Sequence, residues 1–267
     1  MERGVPIRSV SRAIAVLSAI NRSGSATMME ISKSADIPYP TACRIVQTLL
    51  HEGLIEREYA RKRYRATELV QTLSVGFQAE DKLVFSARPH LEKLCNELKW
   101  PISIATRVGT RMMVRDSTHK MTSLTFSNYY PGFTLPIAEC ATGKCYLAFC
   151  DEVERDTIIE GWHATDNETS KHGLLIVRDD LAWNKIRLDG FASQARNLYN
   201  AEPGKTSSIA VPVYGQNRAL IGSLAVIYFA SSLKIAAAIK QFVEPLQATA
   251  TAIYDVLEAP NTLFHDR

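Results

Sequence analysis

The chain has 267 residues, 46% hydrophobic and 22% charged, with 31 Lys and Arg against 28 Asp and Glu for a formal charge of +3. This is the composition of a globular protein of one large domain or a small one joined to a larger. No run approaches the ~18 apolar residues of a membrane span, and the polar start Met1-Glu2-Arg3-Gly4 has no signal-like apolar segment, so no membrane partner and a cytoplasmic location are expected.

Charge is unevenly spread: residues 1–67 hold 11 Lys and Arg against 6 Asp and Glu, a balance of +5, leaving −2 for the rest. The basic end calls for an anionic partner, with nucleic acid the leading candidate. Val10, Ala13, Ile14, Leu17 and Ile20 recur at helical spacing, and Asn21 to Gly24 stops the helix with turn chemistry. Thr27 and Glu30 have capping-box spacing at the head of a short helix through Met29, Ile31 and Ala35, broken at Asp36-Ile37-Pro38. Pro40 suits the first turn of the next helix, and Gly53 its end. On that helix Ala42, Ile45, Val46, Leu49 and Leu50 fall on one side, and Thr41, Arg44, Gln47, Thr48 and His51 on the other. Two short strands, Leu54–Glu58 and Arg63–Thr67, flank a basic tip at Tyr59-Ala60-Arg61-Lys62. The order predicts a winged helix-turn-helix: the polar helix face enters a major groove, while Arg61, Lys62 and Arg63 approach phosphates or a minor groove.

Leu69, Val70, Leu73 and Phe77 predict a linker helix over 68–81, followed by a longer helix carrying Leu83, Ala87, Leu91, Leu94 and Leu98. Strands are expected at Ile102–Thr106 and Arg111–Asp116, then helices at Cys140–Cys150, Val153–Trp162 and Leu181–Gly190, with His163 and His172 in a polar loop. Ser207–Tyr214 and Leu220–Phe229 are the strongest strands, and Ile235–Leu257 is a closing helix with a kink or stop at Pro245. Together these make an α+β domain at 82–267, an antiparallel sheet flanked by helices, with room for a ligand cavity. The five cysteines form no C-x-x-C pair and have no histidine at ligand spacing, so no metal or other cofactor is expected and the thiols read as small buried groups.

These residues resemble the IclR family of bacterial transcriptional regulators over nearly the whole chain. The carrying residues are Arg12-Ala13, Ile37-Pro38, Thr41, Arg44, Thr48-Leu49, Gly53-Leu54 and Tyr64, then Leu135-Pro136, Thr142-Gly143-Lys144, Gly190-Phe191 and Ile209 to Val213. Trp100-Pro101, Arg115 with Thr118-His119, Leu147 to Cys150 and Ser207 to Ala210 are similar to the MhpR-like branch, which regulates hydroxyphenylpropionate catabolism. The resemblance implies a winged helix-turn-helix at 1–67 on double-stranded operator DNA and a GAF-like effector-binding domain. It implies a homodimer or dimer of dimers acting as activator or repressor, with polymerase as a further partner. DNA contacts are then expected from Arg12, Thr27, Tyr39, Thr41, Arg44, Gln47, Thr48, Arg61, Lys62 and Arg63. Tyr39 stands where many members have Lys or Arg, which puts a phosphate contact there in doubt.

The resemblance also puts an effector cavity at the start of the helix after Leu135-Pro136. Backbone N–H groups around Cys140, Ala141, Thr142 and Gly143 suit a carboxylate, although Ala141 and Gly143 equally suit close helix packing. Members that bind small acids have serines where this chain has Ala225 and Ile227, which favours an aromatic carboxylate. Ser208 is then expected to bond it, Arg115 and His119 to face it from the opposite wall, Tyr129 and Tyr130 to form a lid, and Asn200 and Glu202 to close the mouth. A cysteine or serine hydrolase is the enzymatic alternative, but there is no G-x-S-x-G and no evident histidine partner. A degenerate DNA head working through protein partners is a third reading, against which Arg44 and the basic tip count.

Overall fold

Apolar residues three and four apart build the first unit's three helices: α1 (Arg8–Ser23), α2 (Met28–Ser34) and α3 (Tyr39–His51). The computed structural model describes residues 7–74, 82–125, 129–164, 168–177, 179–198 and 203–259, and the chain divides into two compact units, Met1–Asp81 and Lys82–Arg267. Val16, Ile20, Ile31, Ala42, Val46, Leu49 and Ile55 form the core of the first. Helix α1 ends at Gly24, whose φ of 68° favours glycine. The capping box forms: Glu30 N–H donates to Thr27 Oγ1 at 3.3 Å, and Thr27 N–H to Glu30 Oε2 at 2.8 Å. Strands β1 (Ile55–Glu58) and β2 (Arg63–Ala66) pair antiparallel, Ile55 opposite Ala66 and Glu58 opposite Arg63. A single 3-10 turn, Tyr59–Arg61, and a left-handed Lys62 close the tip. Ala26 and Tyr64 exchange backbone hydrogen bonds of 2.9 and 2.8 Å, which ties the hairpin to the segment ahead of α2.

The linker helix expected over 68–81 is described only in its first half. Glu68–Ser74 is a 3-10 helix, with Thr72 Oγ1 donating to the Leu69 carbonyl three residues back, and 75–81 lie outside the described residues. Leu69 and Leu73 are exposed, so no packed face of this unit selects the wider turn.

The second unit contains α4 (Lys82–Leu98), β3 (Ile102–Val108), β4 (Arg111–Ser117), β5 (Thr134–Pro136) and α5 (Ala141–Phe149). Then come α6 (Glu152–Ala164), α7 (Glu168–Ile176), α8 (Asp180–Asp189), β6 (Ala192–Gln194), β7 (Thr206–Tyr214), β8 (Leu220–Phe229) and α9 (Ile235–Glu258). The strands form one antiparallel sheet in the order β5-β4-β3-β8-β7-β6. Alternation along them sorts two layers. Ile102, Ile104, Ile209, Val211, Leu224, Val226 and Tyr228 pack with Leu91 and Leu94 of α4 and Phe242 and Leu246 of α9. Each such large side chain contributes on the order of 1.5–3 kcal/mol by burial. The other face is built from smaller groups, Ser103, Ala105, Ser208, Ala210 and Ala225, and takes helix α5.

Two expectations are corrected here, and two strands are added. Helix α9 does not stop at Pro245, because Phe242 and Leu246 on either side are fully buried and offset the missing backbone donor. The stretch around His172 is helix α7, and His163 lies in the last turn of α6. Gly173 lets α7 approach α6: a Cβ there would lie 2.6 Å from the Trp162 ring. Strands β5 and β6, unforeseen, have three residues each, too few to show a period. No described helix is long and apolar enough to cross a membrane.

Candidate nucleic-acid interface and effector cavity

The two faces of α3 differ sharply. Ala42, Val46 and Leu49 are buried, whereas Arg44, Gln47, Thr48 and His51 are exposed. With Ser9 and Arg12 of α1 and Thr41 and Ile45 of α3, these exposed residues line an open groove of about 650 Å³. The structure thus brings Arg12, Thr41, Arg44, Gln47 and Thr48 together. Thr48 Oγ1 donates to the Arg44 carbonyl at 3.1 Å. Ser9, which precedes the expected start of α1, and His51 join the groove without having been singled out as contacts. Tyr39 is 46% exposed at the start of α3 and does not line the groove.

Two predicted contacts are occupied by structure. Thr27 is the cap of α2. Arg63 donates to Ser25 Oγ (3.2 Å), the Ser25 carbonyl (2.7 Å) and Glu30 Oε2 (2.9 Å), so it fastens the wing to α2. The Thr27 N–H, followed by Arg63, holds the Glu30 carboxyl below the usual carboxylate range. Arg61 and Lys62 at the tip are exposed.

In the second unit Tyr129, Cys140, Ala141, Thr142, Ser208, Ala225 and Ile227 line one cavity. Ser103 and Ala105 of β3, Met112 and Val114 of β4, and Leu135 of β5 complete it. The four on β3 and β4 differ from core-facing positions only by the strand's phase, and Leu135 lies on a strand too short to show a period. The β3–β8 register puts Ser103 opposite Ala225, and β7–β8 puts Ser208 opposite Ile227. Tyr129 stacks edge-on against Phe133 at 5.4 Å, and Tyr130 meets the same ring at 6.0 Å. At the start of α5, the Cys140 thiol is turned to the Pro136 carbonyl (3.4 Å) and Thr142 Oγ1 (3.3 Å). The free volume is about 10 Å³, room for one water.

Gly143, Arg115, His119 and Tyr130 do not line this cavity, and two further expected residues lie outside the described ones. Gly143 packs behind the wall, where an added Cβ would lie 1.8 Å from the Ile137 carbonyl oxygen, so close helix packing accounts for it. Arg115 is skipped in the β3–β4 register, which passes from Asp116 opposite Ile104 to Val114 opposite Ala105, and it does not line the cavity. Nor does His119, which comes after β4; burial, then Lys120 and Arg88, lower its pKa. Asn200, with Glu202, lies outside the described residues.

Residues 79–255 match the family described as bacterial transcriptional regulator IclR C-terminal, and residues 9–58 match the IclR helix-turn-helix domain. The chain belongs to the IclR family of bacterial transcriptional regulators. An IclR regulator of Thermotoga maritima shares the fold with a TM-score of 0.63 at 17% identity, over 94% of this chain and 98% of that one. An IclR homolog of Microbacterium hydrocarbonoxydans, solved in complex with 4-hydroxybenzoate, gives 0.64 at 20% identity over 93% and 98%. In sequence, the HTH-type transcriptional regulator TsaQ1/TsaQ2 of Comamonas testosteroni is 20% identical over 156 residues. That match spans 58% of this chain and 56% of that relative's length.

The three cysteines in and around α5 of this IclR-family chain suit packing better than chemistry. Burial raises the pKa of Cys140 and Cys150 and pushes Cys145 up to about 12, the opposite of what a nucleophilic thiolate needs. Among the described residues no group of three or more His, Cys, Asp or Glu could hold a metal ion.

Proposed function

We propose that this protein is a DNA-binding transcriptional regulator whose operator affinity or activating contact responds to a small aromatic carboxylate. Residues 1–67 act as the winged helix-turn-helix, 68–81 as a linker and 82–267 as the effector-binding domain. The protein works in the cytoplasm as a homodimer or dimer of dimers, and polymerase is a further partner. The carrying observation is the division of α3 into a buried Ala42/Val46/Leu49 face and an exposed Arg44/Gln47/Thr48 face lining a groove with Arg12. A helix so divided can seat its apolar side on its own domain while its polar side reads a major groove.

The effector class rests on the cavity's walls. Met112, Val114, Leu135, Ala225 and Ile227 offer hydrocarbon, and Ser103 and Ser208 supply hydroxyls. The first turn of α5, bounded by Cys140, Ala141 and Thr142, presents backbone donors and the positive end of a helix dipole to a carboxylate. The 4-hydroxybenzoate complex of the Microbacterium relative supports this class, and the MhpR-like stretches narrow it to hydroxyphenylpropionate-like acids. A benzene needs about 150 Å³, so the present 10 Å³ must open for an aromatic guest. A guest that fits only the opened form favours that form, which is what ligand control of a second site requires.

The test is a pair of measurements. Arg44→Ala should weaken specific DNA binding by about 1–3 kcal/mol if it reads a base edge; equal loss on random DNA refutes base readout. Thermal-shift titration with hydroxylated phenylpropionates, cinnamates and benzoates, against glyoxylate and pyruvate, addresses the effector. A ligand at about 100 times its Kd stabilises by about 2.7 kcal/mol, or several degrees. A shift with glyoxylate or pyruvate alone overturns the aromatic assignment.

A further inference from the structure

A second cavity in the same unit, of about 420 Å³, falls within the range of small-molecule pockets, about 300–1,000 Å³. Its walls are apolar: Ile176 of α7, Trp183 and Ile186 of α8, Phe191, and Ile239 of α9. The Trp183 indole N–H donates to the Val177 carbonyl at 3.2 Å, which fixes that ring as a wall. Into this setting projects Lys144 of α5.

The Lys144 ammonium has no hydrogen-bond or ion-pair partner among the described residues. Burial lowers its pKa, and Glu139 only partly opposes this. Glu139 Oε1 stands 3.0 Å from His172 Nε2 but is buried without a hydrogen-bond partner among the described residues. Of the other charges around the cavity, Lys185 and Asp189 pair with each other, while Asp179 keeps its negative charge as a helix cap. Asp189 holds Lys185 at 2.8 Å, and Asp179 Oδ1 accepts the Ala182 N–H at 3.0 Å as the cap of α8. Lys144 is half-buried; a cation without a partner beside hydrocarbon is partly desolvated, and an anion seated there offsets that cost. The size and apolar lining exceed what an inorganic anion uses, while a neutral apolar guest leaves the lysine uncompensated.

We propose that this cavity is a second ligand site, separate from the Ser208/Ala225 cavity, that takes a monocarboxylate with a ring-sized apolar body and pairs it with Lys144. Both sites then bear on α5, whose first turn lines one cavity and whose Lys144 lines the other.

The test uses the full-length protein and 4-iodobenzoate, with 4-iodobenzamide as the uncharged control. Calorimetry is expected to show a binding step that Lys144→Met weakens about tenfold or more, as loss of a charge-assisted bond does, and that Lys144→Arg retains in part. The amide should bind wild type correspondingly weakly, a comparison needing no variant. In crystals the iodine's anomalous signal is expected between Lys144 and Trp183. Equal binding of acid and amide, no binding of the acid, unchanged affinity in Lys144→Met, or iodine only beside Ser208 each overturns the proposal. Ala225→Phe, which fills the first cavity, separates the readings: binding lost there but kept in Lys144→Met leaves the effector assignment standing and this one refuted, and the converse result does the reverse.

Discussion

Gly143 shows how much one missing Cβ can decide. The adjacent Ile137 carbonyl leaves 1.8 Å for a side chain, and backbone cannot step aside as a flexible side chain can. Gly143→Ala should therefore lower stability by about 1–3 kcal/mol or more in urea unfolding, as overpacking does; a neutral result removes the packing role. From sequence, ligand approach and helix packing were equally open for this glycine, because the choice depends on where a carbonyl six residues earlier ends up. The basic run Arg61-Lys62-Arg63 was opaque for a similar reason. It reads as one cationic patch, yet Arg63 is claimed by Ser25 and Glu30, over thirty positions away in the chain, while its two neighbours are exposed.

Local elements with a strong signal were the most legible. The Thr27/Glu30 spacing sufficed to place the capping box, and the apolar repeat of α3 sufficed to divide its faces. Thr27→Ala is expected to cost about 1 kcal/mol in thermal or urea unfolding. Glu30 adds a pH signature whose sign is set by its depressed pKa. Its contribution is present above its ordinary value of 4.5 and is lost as pH falls through the lower folded value. The stability gap between wild type and Glu30→Gln should thus be open at neutral pH and shrink in acid; a gap that widens in acid contradicts the assignment. Elements without a local signal were lost. Helix α7 is polar over Glu168–His172 and is held by the Gly173–Trp162 approach, a long-range event, and the short strands β5 and β6 exist only as partners of β4 and β7.

For the whole chain, the charge asymmetry between residues 1–67 and the remainder predicts how DNA binding should respond to salt. Replacing Arg61 and Lys62 by Gln should weaken specific and random DNA alike and reduce the slope of log K against log salt by about 1.8, if each meets one phosphate. An unchanged slope would remove the tip from the interface. The architecture itself was largely readable, since its long helices and the two strongest strands carry regular patterns, but the cavity was read only in part because its lining is shared among several strands and a helix terminus. That shared lining has an evolutionary consequence. In β3, β7 and β8 each residue that touches the cavity is flanked by neighbours committed to the opposite layer. Ser103, Ser208, Ala225 and Ile227 can therefore drift while Ile104, Ile209, Leu224 and Val226 keep the scaffold intact. On the proposed effector reading, a lineage built on this sheet can exchange one chemical signal for another by single substitutions that leave the opposite layer untouched.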